Sequence, residues 1–434
     1  MFVFNNEGGL TSTAMQLRYM GQLRSWLLLL DSWPQRAMRE RRHALPLRHN
    51  RFLFALWSST IVLQALYIRN NMAVMSFVEL GHTYITMFMT IIDCQRVTLI
   101  WTKAYQEVGK EFVTKFHLVH HRQMSDHAEK MYKQVHRICS IFVNVVYAQM
   151  IIAAFLFNLI PLLHNYSSGM FSSMHPANGT YVHSVYYELP FDYTTNFIGY
   201  LAVFIANFIL TYDAGRCFLV FDMYLSVIVF HVWGHLRILE LHLQHFPHPA
   251  DFAAAARYTD EESRTVQHIL IQLIKHHKSI VDPSIARLVE KQLSVPCYRF
   301  MRQLSSAFGP MLAAYLTFHQ LCGCLLLLEC SSLDSEALGE YGLLTLVLFQ
   351  QLIQISIVYE LIGSQSEKVK NAVYALPWEC MDARGRGLLL FFLQNVQEPI
   401  TLKAMGVVSV GVQTMAGILR RSASYFIMLR TVDL

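Results

Sequence analysis

Long runs of apolar residues, separated by short polar stretches, dominate this sequence and leave few folds open to it. A transmembrane helix needs about 20 apolar residues to cross about 30 Å of hydrocarbon. Suitable runs cover residues 52–68, 72–92, 138–163, 197–235, 307–328, 341–362 and 403–434. Charged residues make up only 15% of the chain, against about 25% in a typical soluble domain. The sequence therefore predicts an all-α, polytopic membrane protein with seven transmembrane helices.

The run over residues 197–235 is unusually long and is interpreted as one helix. At 1.5 Å per residue it would extend about 58 Å, nearly twice the hydrocarbon thickness. It has no proline, and its three glycines, Gly199, Gly215 and Gly234, are far apart, so no hairpin turn is indicated. We expect this helix to span the bilayer first and then to project from it, leaving the membrane near Asp213, Arg216 and Asp222.

The basic residues predict how the chain is oriented. Lys and Arg are concentrated in residues 1–51 and after the second, fourth and sixth runs, and they are absent from residues 164–196 and 329–340. The positive-inside rule then places the N-terminus in the cytoplasm and the C-terminus outside the cell. Both N-x-[ST] sequons fall in residues 164–196, an independent sign that this loop is extracellular. Asn165 and Asn178 are therefore candidate glycosylation sites.

Several polar residues and amphipathic segments need an environment other than lipid. Glu79 and His82 lie in the second run, where lipid would penalise them unless they face the helix bundle or water. Part of the basic segment 1–51 is expected to be helical and to lie along the membrane surface. Segment 236–306 carries a capping box, Thr259 and Glu262, followed by two amphipathic helical patterns whose apolar faces must pack against something.

The sequence contains no motif of a hydrolase, a metalloprotease or a nucleotide-binding enzyme. The histidines are not accompanied by a cysteine or carboxylate set that would complete a metal site. We therefore predict no catalytic residue, metal or cofactor. The net charge of +5 lies on the cytoplasmic side and does not indicate nucleic acid binding.

Two membrane-protein classes fit the sequence less well. A G-protein-coupled receptor would have its N-terminus outside and would carry D-R-Y and N-P-x-x-Y motifs, which are missing. A secondary transporter would show an internal repeat and broken helices at the middle of the membrane. Neither feature is visible here.

The last run, 403–434, combines apolar character with small residues and two adjacent arginines. Small residues allow helices to approach closely inside a membrane. A mid-membrane arginine costs about 2.5–3.5 kcal/mol on insertion scales. Two interpretations of Arg420 and Arg421 stay open: the pair snorkels to an interface, or the helix has one face in water, as a pore-lining helix does.

The C-terminal third resembles the insect odorant receptors. The family pattern is matched by Gly363-Ser364 through Ala372 and Tyr374 to Pro377-Trp378, by Glu398-Pro399-Ile400-Thr401-Leu402, and by Ser424-Tyr425-Phe426 with Leu429-Arg430. Asp222 and His277 are further family-like residues. The chain departs from the pattern at Glu379, where the family usually has Tyr, and in its more basic Arg420-Arg421 pair. Its ending differs from that of the gustatory receptors, the alternative family of chemoreceptor channels.

The resemblance implies a subunit of a ligand-gated, non-selective cation channel in the plasma membrane of sensory dendrites. Such subunits form tetramers with a shared odorant-receptor co-receptor, held together by a cytoplasmic anchor domain. The anchor would comprise residues 236–306 and 363–402, beneath the bundle 52–362. The terminal helix would line the pore, with gate residues Met428, Thr431 and Val432. The ending Thr-Val-Asp-Leu differs from that of the co-receptor and indicates an odorant-tuning subunit.

The ligand would be a small volatile molecule, and its pocket would lie in the outer half of the bundle. Such pockets are mainly aromatic and aliphatic with few polar anchors. The candidate pocket residues are Phe77, Tyr84, Met150, Phe157, Tyr200, Phe204 and Phe349.

Overall fold

The computed structural model describes residues 14–38, 48–172, 179–249, 257–280, 300–329 and 335–432. Within these ranges the chain is almost entirely helical. The helices are α1 (Arg18–Leu29), α2 (Gln35–Met38), α3 (Arg48–Asn71), α4 (Phe77–Thr98), α5 (Lys103–Glu111), α6 (Asp126–Ser167), α7 (Phe197–Gln244), α8 (Asp260–Ile280), α9 (Phe300–Glu329), α10 (Ser335–Tyr374), α11 (Ala383–Asn395) and α12 (Val412–Val432). An antiparallel hairpin of β1 (Lys403–Ala404) and β2 (Val408–Ser409) precedes α12. The predicted all-α class is confirmed.

Helices α3, α6, α7, α9 and α10 are each long and apolar enough to cross a membrane. They match the first, third, fourth, fifth and sixth predicted spans. The other two predicted spans correspond to α4 and α12, which are shorter and carry charged residues such as Arg96 and Arg420. The fold is that of a polytopic helical membrane protein.

Helix α7 is the axis of the molecule. It runs unbroken for 48 residues, as the absence of proline predicted. Its outer part exposes apolar side chains, including Ile198, Ile205 and Ile209, which suit contact with lipid. From Cys217 to Val232 every residue is buried, because α4, α6, α8 and α10 pack around this part. The outer part therefore suits the bilayer, and the inner part is the core of a protein domain.

A buried ion pair joins α4 to α7. The Arg96 guanidinium contacts both carboxylate oxygens of Asp222 at 3.1 and 3.2 Å. Arg96 is fully buried and lies over the ring of Phe218 at 4.2 Å from the ring centroid. Charges so far from water persist only when they are paired, and this pair therefore fixes how α4 sits against α7.

The N-terminal helix α1 packs against protein along its apolar face. Tyr19, Met20, Leu23 and Leu27 are buried against α6 and α7. The Tyr19 hydroxyl is hydrogen-bonded to the Nε2 atoms of His117 and His231, at 2.9 and 3.1 Å. This part of segment 1–51 thus belongs to the folded core, whereas we expected it along the membrane surface.

The predicted anchor segments pack together at the inner end of α7. Helix α8 begins at the predicted capping box, where the Thr259 hydroxyl accepts from the Glu262 backbone N–H at 3.3 Å, and it packs on α7 and α11. Gln365, in the family-like segment of α10, bonds Glu240 of α7. The second predicted amphipathic helix of segment 236–306 lies outside the described residues.

The terminal helix begins later than the run 403–434 suggested. Residues 403–409 form the β-hairpin instead, because Met405 and Gly406 adopt positive φ angles of 51° and 74° and turn the chain. The Ser366 hydroxyl accepts from the Ile400 backbone N–H at 3.0 Å. The hairpin and the start of α12 are thereby held against the inner part of α10.

Candidate ligand-binding cavity

A cavity of about 140 Å³ lies between α3, α4, α6, α7, α9 and α10. Most of its wall is apolar or aromatic. The larger apolar side chains are Trp57, Met89, Met150, Phe157, Phe218 and Leu348, and the polar side chains include Thr60, Gln64, Thr86, Thr90, Thr211 and Gln351. Among the described residues, Asp93 is the one acidic side chain in the wall. An apolar wall with a few polar groups is typical of small-molecule sites.

The outer loop, residues 179–196, closes the cavity from above through Val185 and Tyr187. Polar side chains of the helices hold the loop backbone and its serine. His82 Nε2 donates to the Ser184 carbonyl at 2.9 Å, and Asn207 Nδ2 donates to the Val185 carbonyl at 3.0 Å. The Ser184 hydroxyl donates to Asn158 Oδ1 at 2.9 Å. His82 thus faces the bundle, where its ring is bonded to the loop.

Glu79 lies in the first turn of α4 and not at the middle of a span. It completes a capping box with Ser76 at the start of α4. The Ser76 hydroxyl accepts from the Glu79 backbone N–H at 3.2 Å, and the Glu79 carboxylate accepts from the Ser76 backbone N–H at 2.9 Å. The negative charge of Glu79 therefore lies at the N-terminus of α4, where it interacts favourably with the helix dipole.

Helix α12 is tied to the helices that border the cavity. The Val412 backbone N–H at its start donates to Glu360 Oε2 of α10 at 3.0 Å. Further along, Arg421 Nε donates to Gln320 Oε1 of α9 at 3.1 Å. Arg421 is therefore engaged with a neighbouring helix, whereas Arg420 lies on the exposed side of α12.

The comparison with protein families decides where this fold belongs. The model of the 7tm odorant receptor family matches residues 76–423. The chain belongs to this family. The protein is accordingly a receptor and not an enzyme, and among the residues that the structure describes no group of three or more metal-ligating side chains comes together.

Solved structures share the fold of this receptor. It is similar to olfactory receptor OR5 from Machilis hrabei, with a TM-score of 0.70 and 15% identity over 96% of this chain and 99% of that one. The same Machilis receptor in complex with eugenol gives a TM-score of 0.69 and 14% identity, over 96% and 99% of the two chains.

A curated relative matches a shorter stretch. A Drosophila melanogaster protein provisionally named odorant receptor 85d is 29% identical over 93 residues. That match spans 21% of this chain and 23% of the relative.

The structure brings two of the predicted pocket residues to the cavity, Met150 and Phe157. Tyr200 and Phe204 lie further out, in an open hollow of about 610 Å³ beneath the outer loop. Tyr84 stacks on Phe88, with ring centroids 6.1 Å apart, and is not in the cavity wall.

Two further predicted residues lie elsewhere or cannot be placed. Phe349 packs beside Gly323 and Ser422, where α9, α10 and α12 meet. The Phe77 side chain lies outside the described residues.

The described residues include the asparagine of one sequon, Asn165, and not that of the other, Asn178. Asn165 is fully buried, and its side-chain amide both donates to and accepts from the Val182 backbone at 2.8 Å. This geometry ties the outer loop to α6, and it disfavours a glycan on Asn165 in the folded receptor. Glycosylation of Asn165 stays a prediction. Asn178 lies outside the described residues.

The predicted gate lies near the end of α12. Met428 is 53% exposed. Ile418 and Ser422, on the opposite face, are buried against the receptor's own bundle. Thr431 and Val432 fall in the last turn of the helix, and their side chains lie outside the described residues.

The sequence reasoning missed the α4 wall of the cavity. Thr86, Met89, Thr90 and Asp93 recur three or four residues apart and share one face of the helix. This spacing could have predicted that the four side chains line a common surface. We placed Asp93 at the start of the cytoplasmic segment because a charged residue ended the apolar run.

Proposed function

We propose that this receptor is the odorant-tuning subunit of a ligand-gated, non-selective cation channel. The subunit would sit in the plasma membrane of sensory neuron dendrites and assemble with the odorant-receptor co-receptor, in a tetramer. The observation that carries the proposal is the mainly apolar cavity between the helices of the bundle. Apolar cavities of about 150 Å³ in other proteins admit molecules the size of benzene, and a small volatile ligand is therefore the right size.

A physical path connects the cavity with the proposed pore helix. Leu348 and Gln351 of α10 line the cavity, and Glu360, about two and a half turns further along α10, holds the first turn of α12. A ligand that repositions α10 therefore acts on the start of α12. Opening is favoured only to the extent that the ligand binds the open state more tightly than the closed one.

Whole-cell recording tests the proposed function. The receptor is expressed alone and with the co-receptor, under a panel of small volatiles, with and without an inhibitor of G-protein signalling. We expect a fast cation current that requires the co-receptor and resists the inhibitor. A current that the inhibitor abolishes would instead support a coupled receptor, and the absence of any current would count against the channel.

Filling the cavity should abolish the response to every ligand that uses it. Ala154 lines the cavity from α6, and Ala154→Trp would place an indole in a space of about 140 Å³. We expect the response to fall at least tenfold at saturating odorant, with surface expression measured in parallel. The matched control is Ile152→Trp on the same helix, where the side chain is 58% exposed. An unchanged response in Ala154→Trp would place the odorant site elsewhere.

Cysteines on α12 test the pore assignment. A charged thiol reagent should block current through receptors carrying Met428→Cys or Thr431→Cys, and faster with odorant present, because opening admits the reagent. Ile418→Cys is the control, since Ile418 is 2% exposed and faces the bundle. If block at Met428 and Thr431 is absent, or the same with and without odorant, the pore assignment is wrong.

A further inference from the structure

The wall of the cavity includes an acidic side chain whose carboxylate has no hydrogen-bond or ion-pair partner among the described residues. Asp93 is 0% exposed and lines the cavity. Neither of its carboxylate oxygens has a hydrogen-bond partner among the described residues. The neighbouring Cys217 thiol donates to the backbone carbonyl of Asp93 instead, at 3.6 Å. Buried carboxylates are almost always paired or hydrogen-bonded, and this one therefore calls for a partner.

The nearby Arg96 does not act as the ion-pair partner of Asp93. Arg96 is committed to Asp222, with contacts at 3.1 and 3.2 Å, and it forms no ion pair with Asp93 among the described residues. Its guanidinium is covered by the Phe218 ring. Two buried acids thus share one buried base, and His319, also buried nearby, has no hydrogen-bond partner for either ring nitrogen in the described part of the chain. Among the described residues, the Asp93 carboxylate is therefore left without an ion-pair partner, while Asp222 has one.

We propose that Asp93 is a specificity-determining residue that selects a small volatile amine. The ligand's ammonium group would bond the Asp93 carboxylate in the cavity wall, and its apolar body would fill the remaining space. This inference rests on the proposed function in taking the cavity as the odorant site, and it adds the chemical class of the odorant.

The remainder of the wall suits such a ligand. Trp57, Phe157 and Phe218 place aromatic rings in the cavity wall, and aromatic rings near a cation favour its binding. The volume of about 140 Å³ fits a single aromatic ring with a short aminomethyl group. A site whose buried polar group must be satisfied rejects analogues that lack the matching group, so neutral molecules of the same shape should bind less well.

Benzylamine, benzyl alcohol and toluene form a matched series for the test, because they share one ring and differ in the terminal group. We would record currents from the receptor with its co-receptor, and in parallel measure thermal stabilisation of the detergent-solubilised complex by each ligand. We expect wild type to prefer benzylamine to benzyl alcohol by about 10–100-fold, the range typical of a charge-assisted hydrogen bond. In Asp93→Asn we expect this preference to vanish, so that benzylamine and benzyl alcohol become equally effective.

The matched control is Glu129→Gln, the same carboxylate-to-amide change at an exposed position outside the cavity wall, which should leave the amine preference intact. An equal preference for amine in wild type and Asp93→Asn would overturn the proposal. The proposal would also be overturned if the wild-type receptor responded equally to benzylamine and benzyl alcohol. This comparison needs only the wild-type protein, so it remains decisive even if Asp93→Asn fails to fold. Stabilisation by benzylamine without current would support Asp93 recognition and count against the channel. Currents evoked only by the neutral ligands would support the channel and reject amine selection.

Discussion

Asp222→Asn should destabilise the receptor severely. The substitution leaves the Arg96 guanidinium fully buried with its charge unpaired, because its remaining Nε and Nη1 groups already lack partners among the described residues. Removing one member of a buried ion pair costs about 3–5 kcal/mol. We expect a large fall in the thermal midpoint of the solubilised protein and little receptor at the cell surface. Fluorescence-detected size exclusion after heating measures the first quantity, and surface labelling measures the second.

Two comparisons separate charge burial from a general effect of substitution. Glu129→Gln removes an exposed ion pair with Lys133, which is worth about 1 kcal/mol at most, so the midpoint should hardly move. The double variant Arg96→Met with Asp222→Leu replaces both charges with apolar groups and should recover much of the lost stability. If Asp222→Asn behaved like Glu129→Gln, the ion pair would not be what fixes α4 against α7.

Local patterns predicted the elements of the fold that depend on local sequence. The unbroken α7 follows from a long apolar run without proline, and the start of α8 follows from Thr259 and Glu262. The start of α12 was not predictable in this way. Residues 403–411 are apolar enough to extend a helix, and the hairpin depends on positive φ angles at both Met405 and Gly406. Methionine gives no hint of a turn, and a glycine in an apolar run is also common in packed membrane helices.

The cavity depends on contacts between distant parts of the chain, and this limits what the sequence could predict. Met150 and Phe157 were found because aromatic and sulfur side chains in the outer half of a span are good candidates. Val185 and Tyr187 were missed because their loop is fixed by contacts with distant residues, which include hydrogen bonds to His82, Asn158 and Asn207. No periodicity in the sequence encodes those pairings, which join residues from 22 to 102 positions apart.

Acid should destabilise the core around α1 and the inner part of α7 through His117. Burial lowers the pKa of His117 to about 3 from the 6.5 of an exposed imidazole, and the neighbouring His120, His136 and His121 lower it further. Since the folded pKa lies below the unfolded one, the unfolded chain binds the proton more readily. Stability is therefore fully present above about pH 6.5 and is lost as the pH falls towards 3. Between pH 7.5 and 5 this one group should cost about 2 kcal/mol.

The hydrogen bonds of His117 explain why protonation is disruptive. Its Nδ1 accepts from the Val119 backbone N–H at 3.2 Å, so in the neutral ring the proton is on Nε2, which faces the Tyr19 hydroxyl at 2.9 Å. A second proton would have to go on Nδ1, directly against the N–H of Val119, and would break the bond that shapes this turn.

In His117→Gln the thermal midpoint should depend less on pH, by the equivalent of about 2 kcal/mol over pH 7.5 to 5. The exposed His245→Gln should keep the wild-type pH dependence, and an equal pH dependence in all three proteins would show that His117 is not the acid-sensitive group.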